Sequence, residues 1–143
     1  MNIIILSRNK NLYSTSRLVD IAYKWGHNIR VIDYMRCYIN ITSSKPNVYY
    51  GGESIGKVDV VIPRIGASNT FYGTAVVRQF EVMGSYCVNS SVSISQSRDK
   101  LRSLQILASA GINMPITGFA SHTKDIKGVI EDIGSLPLIM KLL

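Results

Sequence analysis

The chain has 143 residues, of which 46% are hydrophobic, and a net charge of +7 from 16 Lys and Arg against 9 Asp and Glu. This length suits one ordinary domain, or one small domain and the start of another, and the hydrophobic content excludes a disordered chain. Its apolar runs are too short for a membrane span or a signal peptide, so we expect a cytoplasmic protein without a membrane partner. The positive charge predicts an anionic partner, although the basic residues are scattered along the chain.

The first part of the chain predicts an open α/β unit with a parallel sheet. A continuous apolar run over 2–7 is typical of a strand buried on both faces, and a helix capped near Ser14 and stopped by Gly26 follows it. The strand at 29–32 then completes a β-α-β crossover. The remaining predicted elements are a hairpin over 48–55, a strand over 58–62, a helix that ends at Gly84 and a short strand over 86–88.

The polar stretch at 89–91 marks the predicted domain junction, because the pattern changes after it. We therefore divide the chain into an α/β domain over 1–89 and the beginning of a second domain over 90–143. The second part predicts a helix that ends at Ala110, a strand over Ile116–Ala120, a helix capped by Ser121 and stopped by Gly134, and a strand over Leu138–Lys141.

Ligands of open α/β sheets bind at the carboxyl ends of the strands, and three predicted loops leave such ends. The loop after the first strand carries Arg8 but has no Gly-x-Gly-x-x-Gly, which disfavours a dinucleotide site. Arg64 follows a strand and could hold a carboxylate or phosphate by two parallel hydrogen bonds, with the helix that begins near Tyr72 adding N-terminal amides. From chemistry alone a structural ion pair is an equal alternative for Arg64, and a solvated loop is the better interpretation of Arg8.

Two lysines of the second part stand out by their positions. Lys100 lies in the first turn of a helix, where the helix dipole disfavours a cation and an anion would stabilise it. Lys141 ends an apolar run, where a cation must reach solvent or a counter-charge. Taken singly each is a structural lysine, but together on a helix–strand–helix–strand order they suggest a clamp for phosphates.

A set of motifs resembles the RimK family of ATP-grasp ligases, which add glutamate to the C-terminus of a small-subunit ribosomal protein. The resemblance runs over the whole chain and rests on residues 5–8, 12–14, 37–41, 61–66, 71–75, 78–81, 84–86 and 98–103. It implies a pre-ATP-grasp α/β domain followed by the start of a central ATP-grasp α+β domain. It also implies that ATP and Mg²⁺ or Mn²⁺ serve the intact enzyme, with Lys100 and Lys141 on the ATP phosphates. The candidate substrate contacts at the strand ends are Arg64, Arg8 and Tyr72.

The same resemblance implies what this chain does not carry. It stops before the family's Gly-rich loop and metal carboxylates, so we expect a truncated chain with no catalytic residue, no metal ligand and no tightly bound cofactor. Alone it is expected to be inactive, and an exposed C-terminal edge would allow it to form an oligomer. The implied substrates are glutamate and a ribosomal-protein C-terminus, and direct nucleic-acid binding is disfavoured because no RNA- or DNA-binding signature is present.

Two other functions stay open at the level of sequence. One is a non-catalytic basic α/β module that binds ribosomal protein or RNA. The other is an ATP-grasp ligase with a small-molecule substrate. Steep salt dependence of binding would distinguish the first, and turnover of the full-length protein on glutamate would distinguish the second.

Overall fold

A computed structural model of the chain describes residues 1–134 and 136–141. The chain divides into two compact units, Met1–Asp99 and a second unit that begins at Lys100, and the sequence-based limits of 1–89 and 90–143 stay a prediction. In chain order the elements are β1 (Asn2–Leu6), α1 (Tyr13–Lys24), β2 (Asn28–Ile32), β3 (Cys37–Asn40), β4 (Asn47–Tyr50), β5 (Glu53–Ser54), β6 (Val60–Pro63), α2 (Thr70–Val82), β7 (Tyr86–Cys87), α3 (Ser91–Arg98), α4 (Lys100–Ser109) and α5 (Ile126–Ile133). Within the described residues no helix is long and apolar enough to cross a membrane.

The first unit is built on a parallel sheet with the strand order β2-β1-β6-β7. Successive side chains of β1 point to opposite faces, so Ile3 and Ile5 pack with Ala22 of α1 while Ile4 and Leu6 join a larger core on the other face. That larger core includes Val76, Val77 and Phe80 of α2. The predicted α/β architecture, with helices on both faces of a parallel sheet, is therefore confirmed.

A small antiparallel sheet, ordered β3-β4-β5, lies beside α2 in the same unit. The predicted hairpin is present, and its turn uses Gly51 and Gly52 at φ of +62° and +89°, a region that favours glycine. Strand β3 is an addition that the sequence analysis did not predict. Two side chains of α2 hold it, since the Tyr72 hydroxyl donates to the Cys37 carbonyl at 2.6 Å and the Gln79 amide donates to the Asn40 carbonyl at 2.9 Å.

In the second unit the predicted helices form but the predicted strands do not. Residues 116–120 and 138–141 have no strand structure, so both strand predictions are wrong. A strand is stable only when a neighbour pairs with its backbone, and no backbone hydrogen bond joins these two segments among their described residues. Instead, Gly118 lies so close to α5 that a Cβ there would overlap Val129 and Ile133.

The last helix begins later than its sequence predicts. Ser121 does not cap α5, which begins at Ile126 after a turn of 3-10 helix over Thr123–Asp125. Its predicted end is confirmed, because Gly134 follows the helix at φ of +111°.

Candidate functional site

The carboxyl ends of the parallel strands bring two predicted site residues to one edge of the first unit. Leu6 of β1 is in register with Pro63 of β6, and the Arg64 backbone N–H donates to the Leu6 carbonyl at 2.8 Å. Arg8 leaves β1 two residues later, so Arg64 and Arg8 both follow neighbouring strand ends. Both side chains are exposed. Ligand sites of open α/β sheets lie at this edge.

The Arg64 side chain is held by a hydroxyl from the neighbouring helix. Its Nη2 donates to the Ser14 Oγ at 2.7 Å. Ser14 is the second residue of α1, and the helix is preceded by Leu12 without any side-chain cap, so the predicted capping near Ser14 is replaced by this contact. Within the described residues Arg64 forms no ion pair, and most of its guanidinium donors remain available to an anion.

The loop after β6 is fixed at its next two residues as well. The Arg98 Nη2 donates to the Ile65 carbonyl at 2.8 Å, and the Gly66 backbone N–H donates to the hydroxyl of the fully buried Tyr34 at 3.2 Å. On α2, Gly73 packs directly on the Ile65 side chain. Arg64 therefore projects from a loop whose backbone is held from three sides, which is how a protein positions a recognition group.

Tyr72 has a different position from the one its sequence context suggests. It is half-buried, and its hydroxyl is engaged with the Cys37 carbonyl of β3. The structure thus gives Tyr72 a structural contact at the start of α2. Its assignment as a substrate contact stays a prediction.

The two candidate phosphate lysines lie in the second unit. Lys100 is the first residue of α4, which confirms its predicted place in the first turn of a helix, and it is exposed. Lys141 is also exposed and lies outside any strand. Their joint role in binding phosphates stays a prediction.

The two thiols of the first unit are poor nucleophiles. Burial, and to a smaller extent the Asp33 carboxylate, raises the pKa of Cys37 from 9.0 to about 12. Burial, with a smaller contribution from Glu81, raises the pKa of Cys87 from 9.0 to about 11. Because the thiolate is the reactive form, neither residue suits covalent catalysis at neutral pH.

The family of the chain follows from comparison with known proteins. Residues 1–94 match the family model of the RimK PreATP-grasp domain, and residues 97–143 match that of the RimK-like ATP-grasp domain. The chain belongs to the RimK family. The resemblance found in the sequence motifs is thereby confirmed, and with it the predicted fold class.

Curated RimK relatives align with the whole chain. A probable alpha-L-glutamate ligase of Vibrio parahaemolyticus is 60% identical over 143 residues, and one of Aliivibrio fischeri is 58% identical; each alignment covers 100% of this chain and 48% of the relative. The chain therefore spans about half the length of the curated relatives it matches.

Solved structures share the fold at low sequence identity. A RimK domain ATP-grasp protein of Sphaerobacter thermophilus has a TM-score of 0.69 at 18% identity, covering 94% of this chain and 47% of that one. The ATP-grasp ligase PsnB, solved with a precursor peptide and AMPPNP, has a TM-score of 0.64 at 15% identity and covers 93% of this chain and 51% of its own. The macrocyclase MdnB of Microcystis aeruginosa has a TM-score of 0.67 at 14% identity, with coverages of 93% and 59%.

Proposed function

We propose that this chain is the N-terminal, substrate-side part of a RimK-type ATP-dependent carboxylate–amine ligase that adds glutamate to a protein C-terminus. Arg64 carries the proposal: an exposed guanidinium, held by Ser14 at the carboxyl edge of a parallel sheet, in a chain 58–60% identical to proteins named as probable alpha-L-glutamate ligases. An arginine so placed suits a carboxylate, because its planar fork forms two parallel hydrogen bonds.

The reaction we propose has two balanced steps. An oxygen of the acceptor carboxylate attacks the γ-phosphorus of ATP, and ADP leaves, which gives an acyl phosphate. The glutamate amine then attacks the acyl carbon, inorganic phosphate leaves with the electron pair of the broken C–O bond, and the amine loses a proton as the amide forms. Arg64 would orient a substrate carboxylate, with Arg8 adding positive charge at the same edge.

The nucleotide would be held by the second unit in this proposal. Lys100 and Lys141 would offset the charge of the ATP phosphates. Among the described residues no group of three His, Cys, Asp or Glu side chains could hold a metal ion, so we assign no magnesium ligand to this chain and route no step through the metal. The acceptor proposed from the family resemblance is a small-subunit ribosomal protein.

A chimera tests the proposal directly. Residues 1–143 of this chain would replace the aligned part of the Vibrio parahaemolyticus relative, with which they share 60% identity. We expect ATP-dependent addition of glutamate to a ribosomal-protein C-terminal peptide, seen by mass spectrometry as an increase by whole glutamate residues. The unmodified relative is the positive control.

Two outcomes would contradict the proposal. A folded chimera that hydrolyses ATP but transfers no glutamate to any peptide would exclude a glutamate ligase. Binding of the 143-residue chain to RNA that falls steeply with salt would instead support a basic binding module, since that dependence reports the release of counterions from phosphates.

A further inference from the structure

A cleft opens at the same sheet edge, on the side of β6 opposite to Arg64. It has a volume of about 240 Å³ and is lined by Pro63, Ile65, Asn89, Ile94, Ser97 and Arg98. All six residues belong to the first unit.

The alternation of side chains along β6 separates this cleft from Arg64. Ile65 packs into the core on the α2 face of the sheet, whereas Ile62 packs on the α1 face. Arg64 points toward Ser14 of α1. The cleft beside Pro63 and Ile65 therefore lies across the strand from Arg64.

The cleft presents a cation and neutral polar groups, with no carboxylate among its lining residues. Arg98 uses one nitrogen, Nη2, on the Ile65 carbonyl at 2.8 Å and forms no ion pair within the described part of the chain. The Ser97 hydroxyl donates to the Ile94 carbonyl at 3.0 Å. The Asn89 side-chain amide has no hydrogen-bond partner among the described residues. A guanidinium held in place and a side-chain amide with unused N–H donors together suit a carboxylate.

The N-terminal end of α3, which is positive by the helix dipole, is not available to bind this carboxylate. The Glu81 carboxylate accepts from the Ser91 backbone N–H at 2.7 Å and from its hydroxyl at 2.6 Å, and the Ser90 hydroxyl accepts from the Ser93 N–H. The start of α3 is thus already neutralised within the protein. Arg98, at the last residue of α3, is the cation that remains for an external anion.

The volume limits the size of the ligand. Drug-sized ligands occupy pockets of about 300–1,000 Å³, and a nucleotide belongs in that range. A cleft of about 240 Å³ suits a molecule of the size of one amino acid.

We propose that this cleft binds the carboxylate of a free amino acid, with Arg98 and Asn89 as its donors. Resting on the proposed function, this amino acid is the glutamate that supplies the amine.

The test is a titration of the ¹⁵N-labelled 143-residue chain with L-glutamate, followed by NMR. We expect saturable shifts of the Arg98 Nε–H and the Asn89 side-chain amide signals. Asn89→Asp should weaken binding at least about tenfold, because the new carboxylate repels the ligand and removes a donor. Asn113→Asp, which adds the same charge at an exposed position in the second unit, is the matched control and should leave the affinity unchanged.

Three results would overturn the assignment. Shifts confined to Arg64 and Arg8 would place free glutamate on the other side of the strand. Binding of a glutamate-terminated tripeptide but not of L-glutamate would assign the cleft to the acceptor, and equal binding of inorganic phosphate would make it an unselective anion site. The titration needs no turnover. If the Arg98 signals of the 143-residue chain do not move while the chimera is active, the cleft alone is overturned. If they move while a folded chimera hydrolyses ATP but transfers no glutamate, the ligase alone is overturned.

Discussion

Arg64 combines two properties that a recognition group needs, namely a fixed position and unused donors. The Ser14 hydroxyl engages one nitrogen of its guanidinium at 2.7 Å, and the backbone on either side is tied to Leu6 and to Arg98. An arginine on a free loop would lose rotamer entropy on binding, whereas this one is already ordered. The arrangement therefore favours specific binding over general attraction of anions.

Replacing Arg64 separates the role of its charge from that of its shape. Arg64→Lys in the chimera keeps the charge but loses the two-pronged geometry. One lost charged hydrogen bond costs about 1.5–3 kcal/mol, so we expect the KM of the acidic substrate to rise about tenfold or more while the KM for ATP stays unchanged. Arg78→Lys, at an exposed position of α2, is the control. A rise confined to the ATP KM would show that Arg64 serves the nucleotide.

The contribution of Ser14 should be smaller and should act through Arg64. Ser14→Ala removes one hydrogen bond of the guanidinium, and a net loss of about 0.5–1.5 kcal/mol predicts an increase of about two- to tenfold in the KM of the acidic substrate. Ser16→Ala, also exposed on α1, should have no effect. In the double variant Ser14→Ala, Arg64→Lys the two effects should not add, because both act on one contact; full additivity would argue that Ser14 has an independent role.

The cysteines offer a test of the core that needs no activity. The pKa of about 11 for Cys87, against an ordinary 9.0, lowers its thiolate fraction at pH 8 about a hundredfold. We expect iodoacetamide to label both cysteines much more slowly in the native chain than in urea, as followed by mass spectrometry. Above about pH 9 the unfolded chain loses its thiol protons, whereas the native chain keeps them up to the raised pKa values. The two cysteines therefore lower the free energy of unfolding only from about pH 9 upward. Native labelling at the rate of a free thiol would contradict the burial of these residues.

The sequence predicts that Arg64 lies at a strand end, but it does not identify the residues that hold the side chain. A single arginine directly after an apolar strand and before a glycine indicates a strand-end site from local pattern alone. Its partner Ser14 lies 50 residues away, and Arg98 lies 33 residues from the carbonyl it binds. Such contacts arise only when β1 and β6 pair, so Ser14 was interpreted as a helix cap. The Arg98–Asp99–Lys100 motif indicates Lys100 by its place in the first turn of a helix, and its local pattern does not distinguish Arg98.

At the scale of elements, strand prediction is correct for a segment that is identified by its burial, and it is wrong for two segments that lack a paired neighbour. The run Ile3–Leu6 is buried on both faces of the sheet, and its apolar continuity identifies it as a strand. The segments 116–120 and 138–141 are apolar too, but neither has a paired neighbour among the described residues. In contrast, α5 needs no partner for its backbone, and its predicted end at Gly134 is correct.

Alanine substitutions at two helix glycines should change stability in opposite directions. In α2, a Cβ on Gly73 would overlap the Ile65 side chain, so Gly73→Ala should destabilise the first unit by about 1–3 kcal/mol and displace the loop that carries Arg64. In α5, a Cβ on Gly128 would meet no atom within 4 Å, so Gly128→Ala should stabilise the chain by up to about 1 kcal/mol through helix propensity.

Urea denaturation of both variants measures this difference. The Gly128 substitution controls for the general benefit of alanine in a helix. If Gly73→Ala were as stabilising as Gly128→Ala, the close approach of α2 to Ile65 would be wrong, and with it the account of how the loop after β6 is held.

At the scale of the whole molecule, the proposal assigns substrate binding to the first unit and nucleotide binding to the second. The first unit carries the two arginine sites at one sheet edge, and the second carries Lys100 and Lys141. In this proposal the chain, which spans 48% of its curated relatives, binds substrate carboxylate with its first unit and ATP phosphates with its second.

Nucleotide binding by the 143-residue chain tests that division. Immobilising ATP costs several kcal/mol, and the described residues offer two candidate phosphate cations and no metal-binding group to offset this cost. We expect calorimetry with ATP and Mg²⁺ to give a Kd weaker than about 1 mM, which corresponds to a binding free energy of only about −4 kcal/mol. Lys100→Ala and Lys141→Ala should lower this weak binding further, while Lys24→Ala in the first unit should not. Micromolar binding abolished by Lys141→Ala would mean that these residues already form a complete nucleotide site, and the proposed division between the units would fail.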